Sequence, residues 1–137
     1  MSDDAGLLDT STVILLRRLN DLSTLPSQSL ISTVTLAELS VGPLVAANDA
    51  DRVARQAHLQ QAEADFDAIP FDAAAARAFG RISASLRASG RKPTARAFDA
   101  LIAATAIAND LPLYTCNPDD FRSLDGLDLR DVPHPDR

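Results

Sequence analysis

Aromatic residues and cysteine are scarce in this 137-residue chain: 4% of its residues are aromatic, none is tryptophan, and Cys116 is the single cysteine. One cysteine allows no intramolecular disulfide and excludes a multi-cysteine metal site. With so few rings the core has to be aliphatic, built from Ala, Leu, Ile and Val, and no aromatic platform for stacking bases is visible. No apolar run approaches the roughly 20 residues that a membrane span requires. The opening "MSDDAGLLDTS" carries two acids where a secretory signal would be basic, so a cytoplasmic location is expected. Histidine is scarce too. His58 lies in a polar helical stretch and His134 in the "PHPDR" tail, neither near a recognisable nucleophile, which argues against a hydrolytic triad. GxGxxG and Walker loops are absent. Carboxylates are the groups left to carry any chemistry.

The net charge of −6 argues at first against a nucleic-acid partner, but its distribution argues differently. Residues 73–98 hold Arg77, Arg81, Arg87, Arg91, Lys92 and Arg96 and no acid. Such segregation creates a local positive field on an acidic protein, or else a solvated helix face.

Along the chain, strand and helix patterns alternate. "GLLDTS" reads as a strand ending at Asp9, followed by the helix "VILLRRL". A β-branched run at 31–34 leads to Thr35 as an N-cap and a helix through Leu39 towards Gly42. Residues 48–69 predict an amphipathic helix with Val53, Ala57 and Ala64 inside. "IPF" at 69–71 is a short strand, Asp72 caps a helix to about Ala88, and Gly90 stops it. Pro93 and Thr94 open a further helix to about Asn109. "PLYT" at 112–115 is a fourth strand, "CNPDDF" its loop, and "LDLRDV" a fifth. The pattern predicts one α/β domain over residues 1–137, with a central, mainly parallel sheet of four or five strands flanked by helices and a loose tail at about 133–137.

Ligands of open parallel sheets sit beyond the carboxyl ends of the strands. Asp9 follows strand one, and Asn117, Asp119 and Asp120 follow strand four. Glu38 lies early in the helix after strand two, and Asp99 early in the helix before strand four. Asp99 is conspicuous among Phe98, Leu101, Ile102, Ala103 and Ala106, because an unpaired carboxylate in such company is costly. Converging carboxylates repel one another, and a hard divalent cation such as Mg²⁺ or Mn²⁺ relieves that repulsion. Each acid also has a purely structural reading. Thr35 to Glu38 matches a capping box, Asp9 a turn or cap, Asp99 a helix-dipole partner, and Asp119 and Asp120 a turn.

"LLDTSTVI", "STVTLAELSVG", "FDALIAATAIANDLPLYT" and "TCNPDDF" together resemble, in order and spacing from about Leu7 to Val132, the PIN-domain ribonucleases, above all the VapC-type toxins of bacterial toxin–antitoxin pairs. The resemblance implies a PIN-like fold and a Mg²⁺- or Mn²⁺-dependent endoribonuclease blocked by a cognate VapB-type antitoxin. It implies metal held by Asp9 and Asp99, water oriented by Glu38, and a site completed by Asn117 and Asp120. Many relatives have an acid where this chain has Asn117, and often Arg where it has Cys116. RNA would run along Arg87, Arg91, Lys92 and Arg96.

Two other readings stay open. An Asp at the end of strand one also serves phosphoryl transfer in haloacid-dehalogenase-like phosphatases and in receiver domains. The first would need an acid where Ser11 stands, and the second a late lysine, whereas the sole lysine is Lys92. A non-catalytic PIN-like binding module is the other. The apolar helices at 12–19 and 36–45 exceed what one core needs, and are expected to form a groove for an antitoxin helix; a homodimer within a toxin–antitoxin hetero-oligomer is expected as well.

Overall fold

A computed structural model describes residues 4–90 and 97–137. The expected start of a helix at Pro93 and Thr94 lies outside these residues, as do Arg91, Lys92 and Arg96. The elements are β1 (Ala5–Leu8), α1 (Thr10–Leu15), β2 (Gln28–Ser32), α2 (Thr33–Leu44), α3 (Asp49–Asp65), β3 (Ala68–Ile69), α4 (Ala73–Ala88), α5 (Ala97–Ala108), β4 (Leu113–Thr115) and β5 (Leu129–Asp131). All strand pairs are parallel, and the order across the sheet is β3-β2-β1-β4-β5. The expected mainly parallel sheet is thus parallel throughout.

Alternation along β1 divides the core into two layers. Leu7 packs with Leu113, Ala78, Ile82 and the buried stripe of α5. Leu8 turns to the other face, against Tyr114, Val13 and Phe66. The small residues of α5 suit its central place, with Ala100 and residues 102–106 all buried. Gly6 lets β1 approach Tyr114 closely: a Cβ there would stand 2.4 Å from the ring.

Several boundaries depart from the sequence expectation. The helix after β2 is capped by Ser32, whose hydroxyl accepts from the Val34 amide at 3.0 Å, not by Thr35. The β2–β3 register carries the strand to Ser32 and so moves the cap forward. The helix also continues past Gly42 through Pro43 to Leu44. On α3 the inner positions are Leu59 and Ala62, packed with the following Phe66, while Val53, Ala57 and Ala64 are exposed. The last residues make these contacts. Val132 is buried and its amide donates to the Thr115 carbonyl at 2.9 Å, and Asp136 pairs with Arg18. Asp72 does cap α4, accepting from the Ala75 amide at 3.0 Å, and Gly90 follows the helix at φ +81°.

Candidate active site

Strand order reverses beside β1. From there the chain runs outward through β2 and β3, then crosses back to β4 and β5, and the crevice at the carboxyl ends of β1 and β4 is where such a sheet takes ligands. Asp9 follows β1 and Asn117 follows β4, so the two flank that crevice.

Asp9 is 3% exposed and caps α1. Its Oδ1 accepts the Thr12 amide at 3.2 Å and the Thr12 hydroxyl. Its Oδ2 accepts the hydroxyls of Ser11 and Thr115, each at 2.9 Å. Burial raises its pKa, and the bonds from Thr12, Thr115 and Ser11 work against that rise. All these donors are neutral. The Thr12 hydroxyl also accepts the Cys116 amide at 3.0 Å, and the Thr115 hydroxyl accepts the Asn117 amide at 2.9 Å, so α1 and the end of β4 are locked around one carboxylate. This hydroxyl cradle of Ser11, Thr12 and Thr115 escaped sequence reasoning; the run "DTST" and a threonine closing β4 were its only signal.

Glu38 meets Asp9 from α2. Thr10 lies between them and donates to Glu38 Oε1 at 2.6 Å, with Thr35 Oγ1 3.0 Å from the same hydroxyl. The capping-box role expected of Thr35 and Glu38 is therefore replaced: Thr35 is fully buried inside the helix, and Glu38 is half-buried beside Thr10. Burial raises the Glu38 pKa first, the Thr10 bond opposes it, and the charge of Asp9 adds to it.

Asn117 completes a hydrogen-bonded line. Its Nδ2 donates to Ser11 Oγ at 2.9 Å, and the Arg137 guanidinium stands 3.4 Å from its Oδ1. Asp120 lies half-buried in the 3₁₀ turn that follows, its amide 3.1 Å from the Asn117 carbonyl. Asp119 faces away and pairs with Arg122.

Asp99 occupies the first turn of α5. Because α5 leads into β4, its C-terminus lies at the amino edge of the sheet and its N-terminus beyond the carboxyl edge. Ser32, closing β2, stands 3.4 Å from Thr105 of α5. Glu38 is six residues past Ser32 and Asp99 six before Thr105, so each lies about 9 Å along its helix from that contact, beyond the carboxyl edge.

The basic window divides along α4. Arg77, in the second turn after the Asp72 cap and so towards the carboxyl edge, is exposed. Arg87, expected beside the RNA path, lies in the last turn, next to the Ser85 hydroxyl bond to Asp125 at 2.9 Å and so towards the amino edge. A helix cannot present its two ends to one edge of a sheet it runs beside.

The donor set at the edge is wholly hard oxygen: carboxylates, hydroxyls and the Asn117 amide. Among the described residues no three His, Cys, Asp or Glu side chains come together closely enough to hold a metal ion by themselves. An open set of this kind suits a cation that keeps several waters, as Mg²⁺ does. Burial is the main cause that raises both the Asp9 and the Glu38 pKa, and a cation held beside them would lower both.

A second feature lies on the α1–α3 face. Val13, Ile14, Leu16, Ala54, Ala57 and Ala62 line a groove of about 510 Å³, rimmed by Arg17, Arg18 and His58. The expected apolar groove exists, but its second wall is α3 and not α2. The far end of α2 instead exposes Leu44, at 85%, and Val45 beside the start of α3.

Comparison with known proteins agrees with this architecture. Residues 7–127 match the PIN domain family. The chain is 42% identical over 124 residues to Ribonuclease VapC5 of Mycobacterium tuberculosis, covering 89% of each, and 31% identical over 134 residues to Ribonuclease VapC1 of Rickettsia felis, covering 95% of this chain and 98% of that one. Among solved structures it is similar to VapBC-5 of M. tuberculosis, a member of the VapBC toxin–antitoxin family, with TM-score 0.78 and 39% identity over 94% of this chain and 98% of that one. It is also similar to DNA-bound VapBC of Salmonella typhimurium, with TM-score 0.73 and 26% identity over 93% and 98%.

Proposed function

The chain belongs to the PIN-domain family, and from that premise we propose that it is a VapC-type endoribonuclease, the toxin half of a toxin–antitoxin pair, which hydrolyses RNA at the edge carrying Asp9, Glu38 and Asp99. The observation that carries the reading is the buried Asp9 carboxylate, held only by neutral donors and facing a second carboxylate across Thr10. Asp9 and Asp99 would hold Mg²⁺ or Mn²⁺. When bound, such a cation neutralises charge on the scissile phosphate and acidifies water.

The chain's own residues supply the rest. Ser11, Thr12 and Thr115 fix Asp9 in one orientation, so little reorganisation is needed at the moment of reaction. Glu38, with its pKa raised by burial, is suited to take the proton of a water whose oxygen attacks phosphorus as the opposite P–O bond breaks. Asn117 and Asp120 border the substrate side. Arg77, at the same edge, meets flanking phosphate; Arg91, Lys92 and Arg96 share that role in this reading. An aspartyl-phosphate mechanism is disfavoured, because Ser11 stands where a phosphatase of that kind needs a second acid, and the sole lysine is Lys92.

The antitoxin partner is assigned to the α1–α3 groove, since VapBC relatives are toxin–antitoxin complexes. Self-association as a dimer belongs to the same reading, and light scattering showing only monomer would remove it. A cytoplasmic location agrees with the buried, unpaired Cys116, and no helix among the described residues is long and apolar enough to cross a membrane. The test of the activity is cleavage of a labelled single-stranded RNA by the purified chain in Mg²⁺ or Mn²⁺. Cleavage abolished by EDTA and by Asp9→Asn is expected; cleavage unaffected by either would overturn the reading.

A further inference from the structure

An acidic site that must receive a polyanion needs a cation at its mouth. In the described residues, the cation bonded to the Asp9 network comes from the tail. Arg137 Nη1 is 3.4 Å from Asn117 Oδ1; Asn117 Nδ2 is 2.9 Å from Ser11 Oγ; Ser11 Oγ is 2.9 Å from Asp9 Oδ2. The guanidinium is therefore two side chains removed from the catalytic carboxylate, too far to neutralise it and close enough to meet a phosphate next to the scissile one.

Its position is built rather than incidental. Val132 is buried and continues the β5 pairing through its bond to Thr115. The Asp136 amide is 3.1 Å from His134 Nδ1, the Arg137 amide 3.2 Å from the His134 carbonyl, and Asp136 pairs with Arg18. The tail is thus folded back into a turn that carries Arg137 to the end of β4. Beside it opens a shallow cleft of about 430 Å³, lined by Pro118, Val132, Pro133, His134, Asp131 and Arg137. Flat apolar surface next to a guanidinium is a suitable seat for a nucleotide: Arg137 takes the phosphate, and the proline-lined wall takes the sugar or base. Asp131 is drawn towards Arg122, 3.9 Å away, which reduces its repulsion of that phosphate.

We propose that Arg137 is a substrate-positioning residue, which binds a backbone phosphate of the RNA strand in the cleft beside Asn117. This rests on the ribonuclease reading above, and the experiment separates the two. Wild type, Arg137→Ala and Arg137→Lys would be compared with a fluorescein-labelled single-stranded 20-mer RNA, first by anisotropy in EDTA from 50 to 300 mM KCl, then by steady-state cleavage in Mn²⁺. Arg137→Ala should weaken binding about tenfold at 150 mM salt and lower the slope of log affinity against log salt by about 0.7, the value for one phosphate contact on a single strand. In cleavage it should raise KM by a similar factor and change kcat by no more than about twofold. Arg137→Lys should restore the salt slope while leaving affinity intermediate, since the charge stays and the planar fork is lost. An unaltered salt slope in Arg137→Ala, a lysine variant behaving as alanine, or a rise in kcat on removing the guanidinium would overturn the proposal. RNA binding with the predicted slope change but no cleavage in any metal would leave Arg137 its role and defeat the ribonuclease reading instead.

Discussion

The carboxyl edge of the sheet and the α1–α3 groove are finished to different degrees. At the edge Asp9 is well matched: four hydrogen bonds reach its two oxygens, and the Thr12 and Thr115 hydroxyls in turn accept the amides of Cys116 and Asn117, just past β4. Such hydrogen bonding fixes the Asp9 carboxylate in one orientation. The groove is its opposite. Ile14, Ala54 and Ala57 face solvent, which leaves apolar area exposed along its walls. In the proposed reading the chemistry is preorganised within one chain, whereas its control would come from a partner.

The comparison breaks most sharply where the acids are removed. Asp99→Asn should lower RNA cleavage by about a thousandfold or more, matching a loss of about 4 kcal/mol of transition-state stabilisation. Antitoxin binding should be unaffected, as read by titration of the labelled antitoxin. The converse variant is Ala57→Glu, which sets a charge on the apolar wall of the groove. It should weaken antitoxin inhibition by roughly 30-fold, about 2 kcal/mol, and leave cleavage by the free chain intact. A variant in either region that damaged both functions equally would show that edge and groove are not separate devices.

A smaller effect tests the electrostatics of the edge. Glu38 has its pKa raised in the folded chain by burial and by Asp9, so its ionisation costs stability that is present below the unfolded value, near pH 4, and lost as pH rises through the raised value. Glu38→Gln keeps an oxygen for the Thr10 hydroxyl and cannot ionise. Without metal, the variant should melt above wild type at pH 7, and the gap should close as the pH approaches 4. A gap independent of pH would mean that Glu38 is not strained by its surroundings. Asp128 works in the other direction: the Arg130 hydrogen bond holds its pKa down, so its contribution is lost as pH falls, in both proteins alike.

Much of the edge was legible in sequence because strand ends are. A short apolar run followed by Asp, Thr and Ser marks both the end of β1 and the cap of α1, and the same grammar locates Asn117 after β4. Glu38 was legible as a residue, but its local contacts were not. Ser32, Thr33 and Thr35 are all hydroxyl-bearing candidates for one cap, and only the pairing of β2 with β3 selects Ser32 and frees Glu38 from the cap. The inner face of α3 was misread for a different reason. Alanines occur on all sides of that helix, so periodicity does not separate Ala57 and Ala64, which are exposed, from Ala62, which is buried. Arg137 left no local signal, since it reaches the site through a turn 20 residues after Asn117.

The central claim is that Asp9 and Asp99 share a divalent cation, and thermal melting with and without Mn²⁺ tests it most directly. At a Mn²⁺ concentration of about 100 times its Kd, wild type should gain about 2.7 kcal/mol, roughly 8 °C in Tm for a chain of this size, and Asp99→Asn should gain little. Equal Mn²⁺-induced shifts in the two proteins would contradict the assignment of Asp99 as a metal ligand.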